Sequence, residues 1–128
     1  MEQPKARAKK ILVVEDEPAI CQVCLRTLTA DGFEVDIAVN GAIARDMLSE
    51  KDYDLCLVDI RTPIMNGKEL YKHILDEHPE FKGKVIFTTG DVLDEKLLSL
   101  LNGSERPYLP KPFTPDELRA IVKEALEG

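Results

Sequence analysis

The sequence lacks tryptophan, has few aromatic residues and contains no long hydrophobic run. Aromatic residues make up 5% of the 128 residues, and the longest uninterrupted aliphatic run is Ile11 to Val14. A membrane-spanning helix needs about 20 apolar residues in succession, and no apolar signal-peptide segment follows the basic start. We therefore expect a cytoplasmic protein that has no membrane partner.

Cysteine is also scarce. The three cysteines, Cys21, Cys24 and Cys56, form an odd number at low density, which favours reduced thiols over a disulfide framework. Cys21 and Cys24 have the spacing of a redox motif, but both lie inside a predicted helix, with Cys24 on its apolar face. Cys56 lies within a predicted strand. We expect these thiols to pack in the core.

Positive charge is in deficit over the chain as a whole. Lys and Arg number 17 against 24 Asp and Glu, which gives a formal net charge of −7. This balance disfavours binding to the phosphates of nucleic acids. The start of the chain is the exception, because residues 1–10 contain four basic residues (Lys5, Arg7, Lys9 and Lys10) and one acidic residue, Glu2. We interpret residues 1–9 as a basic leader or linker and residues 10–128 as one domain.

Short apolar strands alternate with amphipathic helices along that domain. The patterns predict strands over 10–15, 33–38, 54–59, 84–89 and 107–110, each followed by a helix, the fourth of which runs through Leu97–Leu101. This alternation predicts an α/β fold with a parallel sheet and right-handed crossovers. The expected architecture is a (βα)5 doubly wound five-stranded parallel sheet in the flavodoxin-like order 2-1-3-4-5.

Ligands of such sheets bind outside the carboxyl ends of the strands, so the residues at the strand ends are the candidate site. These residues are Glu15, Asp16 and Glu17 where the first strand gives way to a loop, Asp59 at the end of the third strand, Thr88 and Thr89 at the end of the fourth, and Lys111 after the fifth. Clustered carboxylates need a counter-charge, which a hard divalent cation such as Mg²⁺ and the lysine can supply. An aspartate in this setting can act as a nucleophile toward a phosphoryl group, and Asp59 is our candidate.

Four segments of the chain resemble the response-regulator receiver domains of two-component signalling. They are ILVVEDE at 11–17, LCLVDIRTPIMNG at 55–67, VIFTTGD at 85–91 and YLPKPF at 108–113. The resemblance covers nearly the whole chain, and its motifs are specific in their order and spacing. It implies a phosphoacceptor switch in which Asp59 is phosphorylated by a histidine kinase or a histidine phosphotransfer protein.

The resemblance also implies a role for each site residue. Mg²⁺, with Mn²⁺ as an alternative, would be coordinated by Asp16, Asp59 and the backbone carbonyl of Arg61, while Glu15 would act through water. Lys111 would pair with the phosphoryl group, and its bond to Pro112 would be cis.

A switch pair and two residues that tune the phosphoryl lifetime are implied in the same way. Thr89 would turn toward the phosphoryl oxygens, and Tyr108 would rotate into the vacated space. This rotation would alter the surface of the fourth helix, fifth strand and fifth helix. Thr89 is preferred to Thr88 because of side-chain alternation and because Gly90 follows it. Arg61 and Asp91 would flank the path of the attacking water.

Two other functions use similar residues. A hydrolase of the haloacid-dehalogenase type needs a second aspartate two residues after the nucleophile, where this chain has Arg61. A degenerate receiver that only binds a partner would lack part of the acceptor site, whereas every residue type is present here. We expect no turnover of an external substrate and a monomer or weak dimer. The chain is either a stand-alone regulator or the receiver of a hybrid histidine kinase.

Overall fold

The fold is a parallel sheet with helices on both faces, seen in a computed structural model that describes residues 8–81, 83–90 and 108–127. The strands are β1 (Lys10–Val14), β2 (Glu34–Ala38), β3 (Leu55–Asp59), β4 (Val85–Thr89) and β5 (Tyr108–Pro110). Their order in the sheet is β2-β1-β3-β4-β5, and every pairing is parallel. The described helices are α1 (Pro18–Ala30), α2 (Gly41–Glu50), α3 (Gly67–Glu77), a 3₁₀ turn (Pro79–Phe81) and the C-terminal helix (Pro115–Glu127).

The predicted strands and their order are confirmed, with bounds that differ by one residue at one end of each strand. The predicted fourth helix, through Leu97–Leu101, lies outside the described residues, as do residues 1–7. The division of the chain at residue 10 therefore stays a prediction. Among the described helices, none combines the length and the apolar character that crossing a membrane requires.

Strand alternation divides the core into two clusters, one on each face of the sheet. Leu12 and Val14 of β1 pack in the cluster that includes residues of α2 and α3. Ile11 and Val13 pack in the cluster with residues of α1 and the C-terminal helix. Because both faces are covered, the inner strands β1, β3 and β4 are apolar except at their ends. Cys24 and Cys56 are fully buried in these clusters, as predicted, whereas Cys21 is half-buried and belongs to neither cluster.

Local capping fixes where the helices begin. The Asn40 side chain accepts the Ile43 N–H at the start of α2. Asn66 and Glu69 form a reciprocal capping box at the start of α3, and Thr114 and Glu117 exchange the same two hydrogen bonds before the C-terminal helix. These bonds satisfy amide groups that a helix leaves without partners. They also set the position of the loops that follow β2, β3 and β5.

A buried tyrosine is hydrogen-bonded to the edge strand β2. The Tyr53 hydroxyl donates to Asp36 Oδ2 at 2.6 Å, and this bond lowers the pKa of Asp36. Because the pKa is lower in the folded chain, the bond stabilises the fold above the ordinary aspartate pKa and loses its effect as the pH falls through the folded value. We expect Tyr53→Phe to lower the free energy of unfolding by about 1 kcal/mol at pH 7, since Asp36 is partly exposed.

Urea unfolding at pH 7 and pH 3 measures this effect. The difference between Tyr53→Phe and the wild type should narrow at pH 3, because protonation of Asp36 in the unfolded chain and in the variant begins at a higher pH than in the folded wild type, whose Asp36 pKa is lowered. In an Asp36→Asn background the same substitution should have an effect that does not change with pH. A pH-independent loss in the wild-type background would contradict the prediction.

Candidate functional site

The carboxyl ends of the strands bring a lysine and three carboxylates together. Lys111, directly after β5, places Nζ 2.7 Å from Glu15 Oε1, 3.0 Å from Asp59 Oδ2 and 3.0 Å from Glu17 Oε1. Glu15 follows β1, and Asp59 ends the adjacent strand β3. Residues from the ends of three strands, up to 96 positions apart in the sequence, thus meet at one edge of the sheet.

Glu15 lies deepest in this cluster. Its side chain is 2% exposed, and its Oε2 accepts the backbone N–H groups of Asp16 and Glu17, each at 3.1 Å. Burial raises the pKa of Glu15 to about 7 against the opposing contact with Lys111, and the nearby Asp59 carboxylate adds to the rise. A carboxylate buried to this degree needs its lysine partner to stay ionised at neutral pH.

Lys111 remains a cation in this setting. Burial alone lowers the pKa of a lysine, but the hydrogen bonds that Lys111 donates to Glu15, Glu17 and Asp59 raise its pKa above the ordinary value. The Lys111 backbone N–H donates to the Thr89 carbonyl at 2.8 Å, and the Lys111–Pro112 peptide bond is cis. Hydrogen bonds from both its backbone and its side chain thus hold Lys111 beside Asp59.

The Asp59 carboxylate is fixed by a different partner on each oxygen. Oδ1 accepts the Arg61 N–H at 3.0 Å, and Oδ2 accepts from Lys111. The side chain is 6% exposed. The chain then turns through residues 60–66 into α3, where the Gly67 N–H donates to the Ile60 carbonyl. Asp59 is thus a nearly buried carboxylate whose position depends on the loop that follows it.

The donor atoms in this cluster suit a hard divalent cation. One carboxylate oxygen each from Glu15, Glu17 and Asp59 lies within 4.8 Å of the others, and oxygen is the ligand atom that Mg²⁺ prefers. Asp16, predicted to coordinate directly, has an exposed side chain and is not one of these three. The coordinating roles of Asp16 and the Arg61 carbonyl stay predictions.

Glu17 is the member of the cluster to which sequence reasoning gave no role. Its position directly after Glu15 and Asp16, behind the first strand, is the feature of the sequence that points to the site. Glu17 is the N-cap residue of α1, and its side chain makes no capping hydrogen bond. Its carboxylate contacts Lys111 instead.

The predicted switch residues lie on the neighbouring strands β4 and β5. Thr89 is buried at the end of β4, and Tyr108 begins β5 with 40% of its surface exposed. Thr88 is also buried and pairs in register with Asp59, so Thr89 lies one residue closer to the carboxyl edge. The choice of Thr89 and Tyr108 as the switch pair stays a prediction. Asp91 lies outside the described residues, and its role with Arg61 is likewise a prediction.

The sequence matches a known family over most of its length. The family model described as response regulator receiver domain matches residues 11–123. The transcriptional regulatory protein CrdR of Helicobacter pylori is 36% identical over 115 residues, which are 90% of this chain and 54% of that protein. The sensor kinase CckA of Brucella abortus is 33% identical over 119 residues, which are 91% of this chain and 12% of that protein.

Solved structures agree with the sequence matches. A CheY-like response regulator receiver domain protein from Methanospirillum hungatei has a TM-score of 0.84 and 28% identity, covering 94% of this chain and 95% of that one. The receiver domain of the sensor histidine kinase PA1611 from Pseudomonas aeruginosa, with magnesium in its active-site cleft, has a TM-score of 0.84 and 26% identity, covering 95% and 100%. The chain spans about half the length of curated relatives such as CrdR, of which it covers 54%.

Proposed function

The chain belongs to the response-regulator receiver family, and from this membership and the site geometry we propose that Asp59 is its phosphoacceptor. The phosphoryl group comes from a histidine kinase or a histidine phosphotransfer protein. One observation carries the assignment: Lys111 Nζ lies 3.0 Å from Asp59 Oδ2, at the edge where three strands end. A nearly buried carboxylate beside a fixed cation is a nucleophile prepared for a phosphoryl group.

The transfer exchanges one bond to phosphorus for another. A carboxylate oxygen of Asp59 attacks the phosphorus, the new P–O bond forms, and the P–N bond to the donor imidazole breaks. The imidazole nitrogen takes up a proton from solvent. Lys111 then pairs with the phosphoryl oxygens, while the Arg61 N–H continues to orient the carboxyl group of Asp59.

A divalent cation fits the same carboxylates. Asp59, Glu15 and Glu17 offer oxygens within reach of one ion, and Asp16 and the Arg61 carbonyl are the further ligands that we propose. When bound, Mg²⁺, or Mn²⁺ in its place, supplies positive charge that offsets the negative charge of the phosphoryl group. These residues would hold the ion beside Asp59.

The protein functions as a switch, and we propose that it turns over no external substrate. Phosphorylation draws Thr89 toward the phosphoryl group and lets Tyr108 rotate inward, which changes the surface of β5, the C-terminal helix and the predicted fourth helix. Arg61 and Asp91 tune the lifetime of the phosphoryl group. The relatives include both regulators and a sensor kinase, so both a stand-alone regulator and a hybrid-kinase receiver remain proposals. A cytoplasmic monomer or weak dimer, without a nucleic-acid partner, is proposed as well.

Intact-mass measurement after incubation with Mg²⁺ and acetyl phosphate tests the acceptor. The wild type should gain one phosphoryl group, and Asp59→Asn should gain none. Asp54→Asn is the matched control, because Asp54 directly precedes β3 at the end opposite Asp59 and accepts the Lys10 N–H there. An adduct on Asp59→Asn equal to that on the wild type, or none on the wild type while another receiver is labelled in parallel, would contradict the proposal.

A further inference from the structure

The three carboxylates around Lys111 differ sharply in exposure. The side chains of Glu15 and Asp59 are 2% and 6% exposed, whereas that of Glu17 is 61% exposed. An exposed ion pair contributes little to stability and is readily exchanged for water. A buried pair cannot be broken without leaving a charge unpaired. The contact with Glu17 is therefore the one of the three that Lys111 can give up at the lowest cost.

The position of Glu17 on the backbone does not require this contact. Glu17 precedes α1, where a side chain can cap the helix, but Glu17 makes no capping bond. Its backbone N–H is already fixed by Glu15 Oε2. The backbone therefore leaves the Glu17 carboxylate able to contact water, the helix end or Lys111. In the structure its Oε1 lies 3.0 Å from Lys111 Nζ.

The ammonium group has three N–H donors, and in this structure each faces a carboxylate. When Lys111 pairs with a phosphoryl group, at least one of these contacts must be released. We propose that Glu17 is a positioning residue that holds Lys111 in the resting site and releases it to the incoming phosphoryl group. This inference rests on the proposed function of Asp59 as the acceptor.

Two substitutions at Glu17 distinguish its contact with Lys111 from its negative charge. Glu17→Gln removes the negative charge, while Glu17→Asp keeps the charge on a side chain one methylene shorter, which withdraws it from Lys111. Glu50→Gln, at the exposed end of α2, removes the same charge far from the site and serves as the control.

The first measurement is hydrogen exchange of the Lys111 ammonium group, followed by NMR in metal-free protein. We expect the exchange rate to rise about two- to fivefold in both Glu17 variants, the range that corresponds to one exposed ion pair, and to stay unchanged in Glu50→Gln. This readout does not depend on phosphorylation, so it tests Glu17 even if Asp59 is not the acceptor. An unchanged exchange rate in both Glu17 variants would overturn the proposal.

The second measurement is the rate of phosphorylation by acetyl phosphate at limiting donor and at a Mg²⁺ concentration that saturates each variant separately, because Glu17 is also one of the three candidate ligand residues. Both Glu17 variants should be phosphorylated about two- to fivefold faster than the wild type, because Lys111 no longer has to leave a partner. If Glu17→Gln is phosphorylated faster while Glu17→Asp matches the wild type in both exchange rate and phosphorylation rate, the negative charge of residue 17 alone sets the rate. In that case the positioning role is wrong. A slower rate in both variants would also overturn it.

Discussion

Gly67→Ala is expected to destabilise the fold and disturb the acceptor at the same time. A Cβ atom at Gly67 would lie 2.7 Å from Ile60 Cα and 2.9 Å from the Asp59 carbonyl oxygen. Both atoms belong to the backbone next to the acceptor, so neither can rotate away. We expect the free energy of unfolding to fall by about 2 kcal/mol, as in overpacked cores. Displacement of Asp59 should also slow phosphorylation about tenfold or more.

Gly90→Ala is the control for stability. A Cβ atom at Gly90 would meet the Lys111 side chain at 3.6 Å, an ordinary van der Waals contact. We expect its free energy of unfolding to stay within about 0.5 kcal/mol of the wild type. Urea unfolding and a time course of intact mass measure the two effects of Gly67→Ala. Wild-type stability together with a wild-type rate would show that the loop after Asp59 adapts without cost.

The strand ends were predictable because the topology brings them together. Once the alternation of strands and helices is identified, right-handed crossovers place the first and third strands side by side. Glu15 and Asp59 then have to meet at the carboxyl edge, and they do so with Lys111 between them. Neither the distances nor the pKa of Glu15 could be predicted, because both depend on how deeply the packed helices bury the site.

The role of Glu17 could not be derived from its neighbours in the sequence. An acidic residue before a helix is expected to cap it or to point into water. Here the deciding partner is Lys111, which lies 94 positions away along the chain. Asp16, which the motif marks as a ligand, has an exposed side chain, and its coordinating role stays a prediction.

The loop after Asp59 contains a left-handed residue that the sequence does not predict. Asn and Gly adopt the left-handed backbone conformation most readily, and the loop ends in both, at Asn66 and Gly67. Instead, Ile64 has φ of 70° and is 81% exposed. The Thr62 hydroxyl donates to the Met65 carbonyl, which also accepts the Gly41 N–H from α2. These tertiary contacts fix the turn and override the local preference of a β-branched residue.

Lys111→Met should destabilise the fold in a pH-dependent way. Methionine preserves most of the side-chain volume but leaves Glu15 and Asp59 buried without a counter-charge. We expect a loss of about 3 kcal/mol at pH 8, the order observed when one member of a buried ion pair is removed. Lys123→Met, on the exposed side of the C-terminal helix, should change the free energy of unfolding by less than about 0.5 kcal/mol.

The pH dependence of this loss follows from Glu15. Its pKa is raised to about 7 in the folded chain, so its protonated form favours folding below the ordinary glutamate pKa, and this advantage disappears as the pH rises through 7. Removing Lys111 takes away a contact that opposes the rise, so the deficit of Lys111→Met should be largest above pH 7 and small near pH 5. Urea unfolding in EDTA from pH 5 to pH 8 measures it.

The same charges predict two ways to restore the lost stability. Glu15→Gln removes one of the two buried negative charges, so Lys111→Met should cost much less in that background, and the pH dependence should disappear. Mg²⁺ in place of EDTA should also recover part of the loss in Lys111→Met alone, because a cation bound by the same oxygens provides the counter-charge. A loss that neither the Gln substitution nor Mg²⁺ reduces would mean that Lys111 stabilises the fold through packing, and its contacts with the carboxylates would then be incidental to stability.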